Sequence, residues 1–377
     1  MLPPFRRLAW PLAIGVLATV LFVARVHDEM VDFEVYRTAA RRALDGADLF
    51  QETDGHYQFK YLPAFALAMA PFALTPDPVA RAAWFGLSVL LLALFVRWSI
   101  DALPARHLST TTLAWCAVVL MAKFYAHELN LGQTNVLLGV VLAGALRAVA
   151  GGRWRLAGAL VGLGVFVKPY ALVLMPWLLV AAGAASLAAA AGVVAAGLAL
   201  PAVVYGWSGN AAQVQAWYRT VTDTTAPNLL GADNVSVAAL WAKWVGIGPL
   251  ASWLTLATLA ALAAALVWAW MRRRGVPGAW YLEFGVLVLV VPLISPQGWD
   301  YVLLLGTPAV IVLADRFGLL SPGWRVVTAA ALGVTSFTMF DLLGRTLYAR
   351  AMGINLITLS VLGIVACLLA LRSRALA

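Results

Sequence analysis

The sequence predicts an all-α fold, a polytopic transmembrane helical bundle of about 12 spans, and three observations predict it. Of 377 residues, 63% are apolar and only 11% are charged, whereas a soluble domain of this size carries about a quarter charged residues. The apolar residues fall in long runs, many of them near the roughly 20 residues that cross a bilayer, and the mean hydropathy is +0.88. The net charge of +9 sits in short basic tufts between those runs, which suits helix ends anchored at a lipid bilayer and not a nucleic-acid face. An ordinary cytosolic enzyme is excluded, and residues 1–377 read as a single bundle domain.

Taken in order, Arg6 and Arg7 precede a first apolar run, 8–26, which is long and has no small-residue cleavage site after it, so it reads as a retained helix. Further spans are expected at 79–99, 110–126, 134–150, 155–168, 169–183, 185–206, 249–271, 279–295, 300–316, 325–341 and 353–371. The stretch 155–183 is either one tilted helix or two short ones broken at Lys168-Pro169. Two short helices place Arg97, Arg106, Arg147, Arg153, Arg155, Arg272, Arg273, Arg274, Arg316, Arg325, Arg372 and Arg374 on the side of Arg6 and Arg7. By the positive-inside rule that side is the cytoplasm of a plasma (inner) membrane protein, with both termini there. All acids except Asp101, Glu283 and Asp315 then fall on the opposite side.

Two segments on that outer side are longer than turns. The first external loop, about 27–78, begins with an amphipathic helix near Asp32, with Phe33, Tyr36, Ala40, Ala43 and Leu44 on one face and Arg37, Arg41 and Arg42 elsewhere, ended by Asp45-Gly46. A polar stretch follows to Lys60, then a Pro-bracketed apolar helix, 61–74, too short to span and therefore interfacial or re-entrant. The second external loop, about 207–248, carries Trp207, Trp217, Tyr218, Trp241 and Trp244, as a headgroup-facing surface does. Cys116 and Cys367 lie inside apolar runs and read as helix filler.

The acids gather in the first external loop, while most spans lack central charges. That pattern suits an enzyme working at the outer face; a transporter buries its ionisable groups at the bilayer midplane. A lipid or sugar-lipid transporter remains the alternative. P-loop, dinucleotide-glycine, H-E-x-x-H and zinc-type Cys/His patterns are all missing from the sequence, so no cofactor and no metal are predicted, and a donor presented from the bilayer fits better than a nucleotide sugar.

An ordered set of short motifs then points to a family. Asp32-Phe33-Glu34-Val35-Tyr36-Arg37 with Asp45-Gly46 is followed by Tyr61-Leu62-Pro63-Ala64-Phe65, Gly132-Gln133-Thr134-Asn135, Val167-Lys168-Pro169, Asn234-Val235-Ser236 and Ser295-Pro296-Gln297-Gly298-Trp299-Asp300-Tyr301. Over nearly its whole length the chain resembles the glycosyltransferase 87 family of the GT-C superfamily. The resemblance implies a membrane enzyme that moves a sugar, mannose by resemblance, from a polyprenyl-phosphate donor to a glycolipid or polysaccharide hydroxyl with inversion. One departure stands out: Asp300-Tyr301 occupies the place where many relatives have histidine after the late Ser-Pro…Trp element.

The resemblance implies that Asp32 is the catalytic base; on its own, an Asp before an amphipathic run also reads as an N-cap. Glu34 is its nearest competitor, and in an extended segment the two share a face fit for a cation. Lys168 interrupts an apolar run, where a lysine costs about 3 kcal/mol at a helix centre, and is the first candidate for the donor phosphate, against a snorkelling anchor. Lys123 and His127, near Glu128, are further phosphate candidates or an interfacial anchor. Tyr36, Lys60, Tyr61, Gln133, Asn135 and Asp300 are expected to line the substrate site, with anchoring, helix-start and capping roles as the ordinary alternatives.

Overall fold

The computed structural model describes residues 19–374. Most of the expected first span, 8–26, and the Arg6-Arg7 pair lie outside these residues. The described chain is all-helical, and its only extended pairing is an isolated antiparallel bridge between Asn234 and Trp299. Seventeen helices are numbered below: α1 (Val31–Leu44), α2 (Pro63–Ala68), α3 (Ala70–Ala73), α4 (Asp77–Asp101), α5 (Thr110–Leu131), α6 (Asn135–Ala150), α7 (Trp154–Val167), α8 (Met175–Ala182), α9 (Ala184–Ala199), α10 (Ala202–Asp223), α11 (Val237–Val245), α12 (Pro249–Met271), α13 (Ala279–Ile294), α14 (Thr307–Asp315), α15 (Pro322–Phe337), α16 (Phe340–Gly353) and α17 (Leu356–Arg374).

The bundle is built around α13, whose side chains are buried from Tyr281 through Leu293. A helix apolar all round has no face to give to water, so it sits in the middle. Among the described residues α4 and α12 are each long and apolar enough to cross a membrane alone. Two expected spans bend instead: α9 turns by 94° into α10, and α15 turns by 101° into α16. The runs 185–206 and 325–341 are therefore shorter as straight helices than hydropathy implied, because an apolar run says nothing about direction and Pro201 and Thr338-Met339 interrupt the backbone ladder. At 155–183 the chain makes two helical pieces, since Lys168 is extended (φ −154°, ψ 133°) between α7 and a 3-10 turn, Pro169–Leu174.

The segment before α4 forms a satellite core. Phe33 stacks on Trp84 (5.4 Å between centroids, 18°), and Tyr61 on Phe65 (4.8 Å). The amphipathic α1 differs from expectation in two ways: Leu44 is exposed, and Arg37 is buried. Its guanidinium donates to Glu34 and Asp77 and to the carbonyls of Phe72 (3.2 Å) and Thr75 (3.1 Å). It ties α1 to the α3–α4 turn, with each of its three nitrogens donating to an acceptor and two carboxylates beside it, which is the condition for burying a charge. Arg42 makes a bidentate pair with Asp54 (2.6 and 2.7 Å), pinning the polar stretch to α1.

Small residues let α7 and α9 approach closely. A Cβ on Gly158 would sit 1.8 Å from the Ser186 carbonyl oxygen, and one on Gly162 2.7 Å from that of Ala190. Where lipid is as apolar as the side chains, such backbone approach is a main source of helix association. Gly158→Leu is expected to cost about 1–3 kcal/mol or more and to lower the unfolding midpoint of the detergent-purified protein. Gly192→Ala, on the same α9 but in open space, is expected to leave it unchanged; equal midpoints for the two variants would refute the close-packing account.

Candidate active site

The site begins with a turn. α5 ends at Gly132, whose φ of 66° is the left-handed cap that glycine adopts without strain. A Cβ there would lie 2.8 Å from that of Phe33, so the missing side chain also lets α1 dock on the turn, while Trp84 Nε1 donates to the Gly132 carbonyl (2.8 Å). Glu128 clips the other side: it accepts from Val136 N (2.7 Å) and Asn135 Nδ2 (2.8 Å), holding the first turn of α6.

Gln133 is thereby fixed between two charges. Its Nε2 donates to Asp32 Oδ2 (2.9 Å), and its Oε1 accepts from Lys168 Nζ (3.2 Å), Tyr61 OH (3.3 Å) and Thr134 N (3.1 Å). Donors on Oε1 set the amide's orientation, so the NH₂ end faces the carboxylate. Tyr36 and Tyr61 share a further hydrogen bond of 2.8 Å. The Lys168 ammonium lies 5.8, 6.0 and 5.9 Å from the ring centres of Tyr61, Tyr170 and Tyr301, within cation–π range of each.

These groups face a cavity of about 470 Å³, the size of a small-molecule site. Asp32, Tyr36, Lys60, Tyr61, His127, Gln133 and Lys168 line it. Among the described residues Oδ1 of Asp32 has no hydrogen-bond partner, which leaves it to the cavity. Burial raises the Asp32 carboxyl above its ordinary value, opposed by the Gln133 hydrogen bond and the charges of Lys168 and Lys60. Burial lowers the Lys60 ammonium.

Four expected residues lie elsewhere. Glu34 is on the far side of α1, held by Arg37 (3.1 Å), Arg41 (3.3 Å) and Arg81 (3.4 Å); on a helix, residues two apart diverge, so it shares no face with Asp32. Asp32 itself is in the first turn of α1, and the cap position is Met30, with no side-chain cap bond. Asn135 is fully buried and does not line the cavity: its Nδ2 donates to Glu128, and its Oδ1 has no partner among the described residues. Lys123 donates to the Thr338 carbonyl (2.8 Å) and lies 3.8 Å from Asp300, behind the cavity wall. Asp300 is buried between Lys123 and His127, 3.8 Å from each; it opens a 3-10 turn, Asp300–Gly306, without capping it.

The far wall contains Tyr170, Thr225 and Asp233, which the sequence did not single out, and Gln297, Trp299 and Tyr301, which it placed in the late motif without assigning them to the site. The two late motifs meet there. Val235 N donates to Gly298 O (2.7 Å), Asp300 N to Asp233 O (3.0 Å), and the buried Asn234 amide to Pro296 O (2.8 Å). A Cβ at Gly298 would fall 1.9 Å from the Pro292 carbonyl oxygen, so this crossing admits only glycine. Pairing of Asn234-Val235-Ser236 with the Ser295–Tyr301 run is the signal that would have found the wall.

Comparison with known proteins supplies the class of chemistry. The profile of Glycosyltransferase family 87 matches residues 59–296, which includes Lys60, Gln133 and Lys168 and begins after α1. A polyprenol-phosphate-mannose-dependent alpha-(1-2)-phosphatidylinositol mannoside mannosyltransferase of Mycolicibacterium smegmatis is 30% identical over 350 residues, 83% of this chain and 76% of that protein. An alpha-(1->3)-arabinofuranosyltransferase of Corynebacterium glutamicum is 27% identical over 176 residues, 44% of this chain and 41% of that one. An apolar helical bundle whose polar cavity takes Lys60, Gln133 and Lys168 from the matched segment leads to one assignment: the chain belongs to glycosyltransferase family 87 and is a membrane glycosyltransferase.

Proposed function

We propose that the protein transfers mannose, with inversion, from a polyprenyl-phosphate donor to a hydroxyl of a glycolipid or polysaccharide at the outer face of the plasma membrane, on a GT-C-type bundle. The observation that carries this reading is the separation of Asp32 from Lys168 by Gln133 within one cavity. A carboxylate and an ammonium in direct contact would neutralise each other. Held apart by an amide, each keeps capacity for a substrate.

The donor enters with its phosphate beside Lys168 and Lys60. The acceptor hydroxyl attacks the anomeric carbon from the opposite face and gives its proton to Asp32 Oδ1, and the C–O bond to phosphate breaks. The departing polyprenyl phosphate keeps the bonding electron pair as negative charge, which the two ammonium groups stabilise. It needs no proton from the enzyme. Burial supports the role of Asp32, because a carboxyl of raised affinity is a better proton acceptor near neutral pH.

Asp32→Asn keeps the hydrogen bond geometry and removes the base, so transfer from a polyprenyl-phosphate sugar is expected to fall about 10²–10⁴-fold in kcat; wild-type turnover in purified Asp32→Asn would refute the assignment. Lys168→Met is expected to raise the donor KM about tenfold or more, with little change in acceptor KM.

The pH profile gives a separate check. Asp32 must be ionised to accept the proton, so kcat/KM falls as pH drops through its raised pKa, and the acid limb lies above the ordinary carboxylate value of about 4. Gln133→Leu removes a bond that favours the ionised form, so the limb is expected to move to still higher pH. An acid limb unmoved in Gln133→Leu would separate the limb from Asp32.

A further inference from the structure

A second cavity, of about 490 Å³, adjoins the first and shares His56, Gln58 and Lys60 with it. One wall is the 3-10 turn Glu52–Tyr57, and the other is the last two turns of α10 with the loop after it. Both walls are held. Arg42 pins the turn through Asp54, and Trp217 Nε1 donates to the Lys60 carbonyl (3.1 Å). Gln213 accepts from Leu49 N (3.2 Å) and donates to Asp48 (2.9 Å). At the partition between the two spaces, Gln297 Nε2 donates to Thr224 (3.2 Å), which lines the second cavity, and to Thr225 (3.0 Å), which lines the first.

The chemistry of the two spaces differs. The first offers Trp217, Trp299, Tyr170 and Tyr301 along with its charges. The second is faced by Glu52, Arg219, Thr220, Asp223 and Asn228, with the Phe50 ring at one edge. Acids and bases are mixed there, so no single sign of charge is selected, and an isoprenoid tail would leave these groups unpaired at a cost. Carboxylates, a guanidinium, a hydroxyl and an amide together accept and donate to many hydroxyls at once, and an aromatic ring matches the C–H face of a sugar.

We infer that this second cavity is the acceptor's glycan subsite, so that the protein extends a neutral oligosaccharide headgroup. The inference rests on the transferase reading above. The terminal sugar passes the opening at His56 and Lys60 to present its hydroxyl to Asp32, while the preceding residues lie against Thr220 and Arg219. Length of the acceptor glycan, not only its terminal sugar, then sets affinity.

The test uses the detergent-purified full chain, a polyprenyl-phosphate mannose donor, and alkyl mannosides with monosaccharide or trisaccharide headgroups. Wild type is expected to show a KM for the trisaccharide about tenfold below that for the monosaccharide. Thr220→Trp, which fills the cavity from α10, is expected to raise the trisaccharide KM to the monosaccharide value and to leave monosaccharide kcat/KM and donor KM unchanged. Arg219→Ala, at an exposed position, is expected to do the same in part and stands in if the tryptophan misfolds the protein.

Equal use of both acceptors by wild type would overturn the inference, as would a Thr220→Trp effect that falls on both acceptors alike or on neither. Direct binding of the two glycosides without donor separates the two readings. A trisaccharide preference that Thr220→Trp abolishes in binding supports the subsite even if transfer from the donor fails. Transfer without any length preference overturns the subsite and leaves the transferase reading standing.

Discussion

The hydrogen bonds of Gln133 are the constraint on which the rest of the site depends. One neutral side chain spans a carboxylate from the helix before the bundle and an ammonium from the break between α7 and the 3-10 turn. Those two groups are 136 residues apart in a 377-residue chain, and oppositely charged groups at low dielectric would otherwise close on each other. The amide can only sit there because Gly132 turns the chain back and because Glu128 fixes the start of α6. Packing of Phe33 on Trp84 brings α1 to that turn. Each of these is a structural interaction, and their common product is a carboxylate oxygen with unused lone pairs beside a cavity.

The opposite wall is assembled by a different principle. Beside the end of α10, backbone hydrogen bonds between two loops hold Asp233, Gln297 and Trp299 in place, the work that a sheet does elsewhere. The Lys243 ammonium reinforces it, donating to the carbonyls of Ala232, Asn234 and Met352 and to Asn355 Oδ1 (2.6 Å). Irregular backbone in a membrane protein is tolerated where it lines a cavity and its polar groups are satisfied. Here both conditions hold at Asp233 and Pro296, which line the cavity and whose carbonyls are hydrogen-bonded.

How far the sequence revealed this depended on the range of the interaction. Composition and apolar runs were sufficient for the helical bundle, because hydrophobic burial is read residue by residue, and the ordered short motifs were sufficient for the family. The straightness of helices was not legible: the apolar runs continue past the bends after α9 and α15. Glu34 was misplaced for a similar reason. Its partners Arg37 and Arg41 lie on its own helix, but Arg81 is 47 residues away, and the burial of Arg37 depends on Asp77 and on two carbonyls near it. Asn135 looked available because the carboxylate that takes up its amide lies on the preceding helix. Polar residues whose partners lie on another helix cannot be told from free ones by pattern alone.

The glycine at the crossing of the two loops has a consequence for genetics. Gly298 carries no functional group, yet any side chain there collides with the Pro292 carbonyl and pushes apart the strand-like pair that carries Trp299, Asp300 and Tyr301. An allele altering it would be scored as catalytically dead with every reacting group intact. Such an allele belongs with lesions of shape, and its suppressors should map to the 233–236 segment that leans on it, not to Asp32 or Lys168.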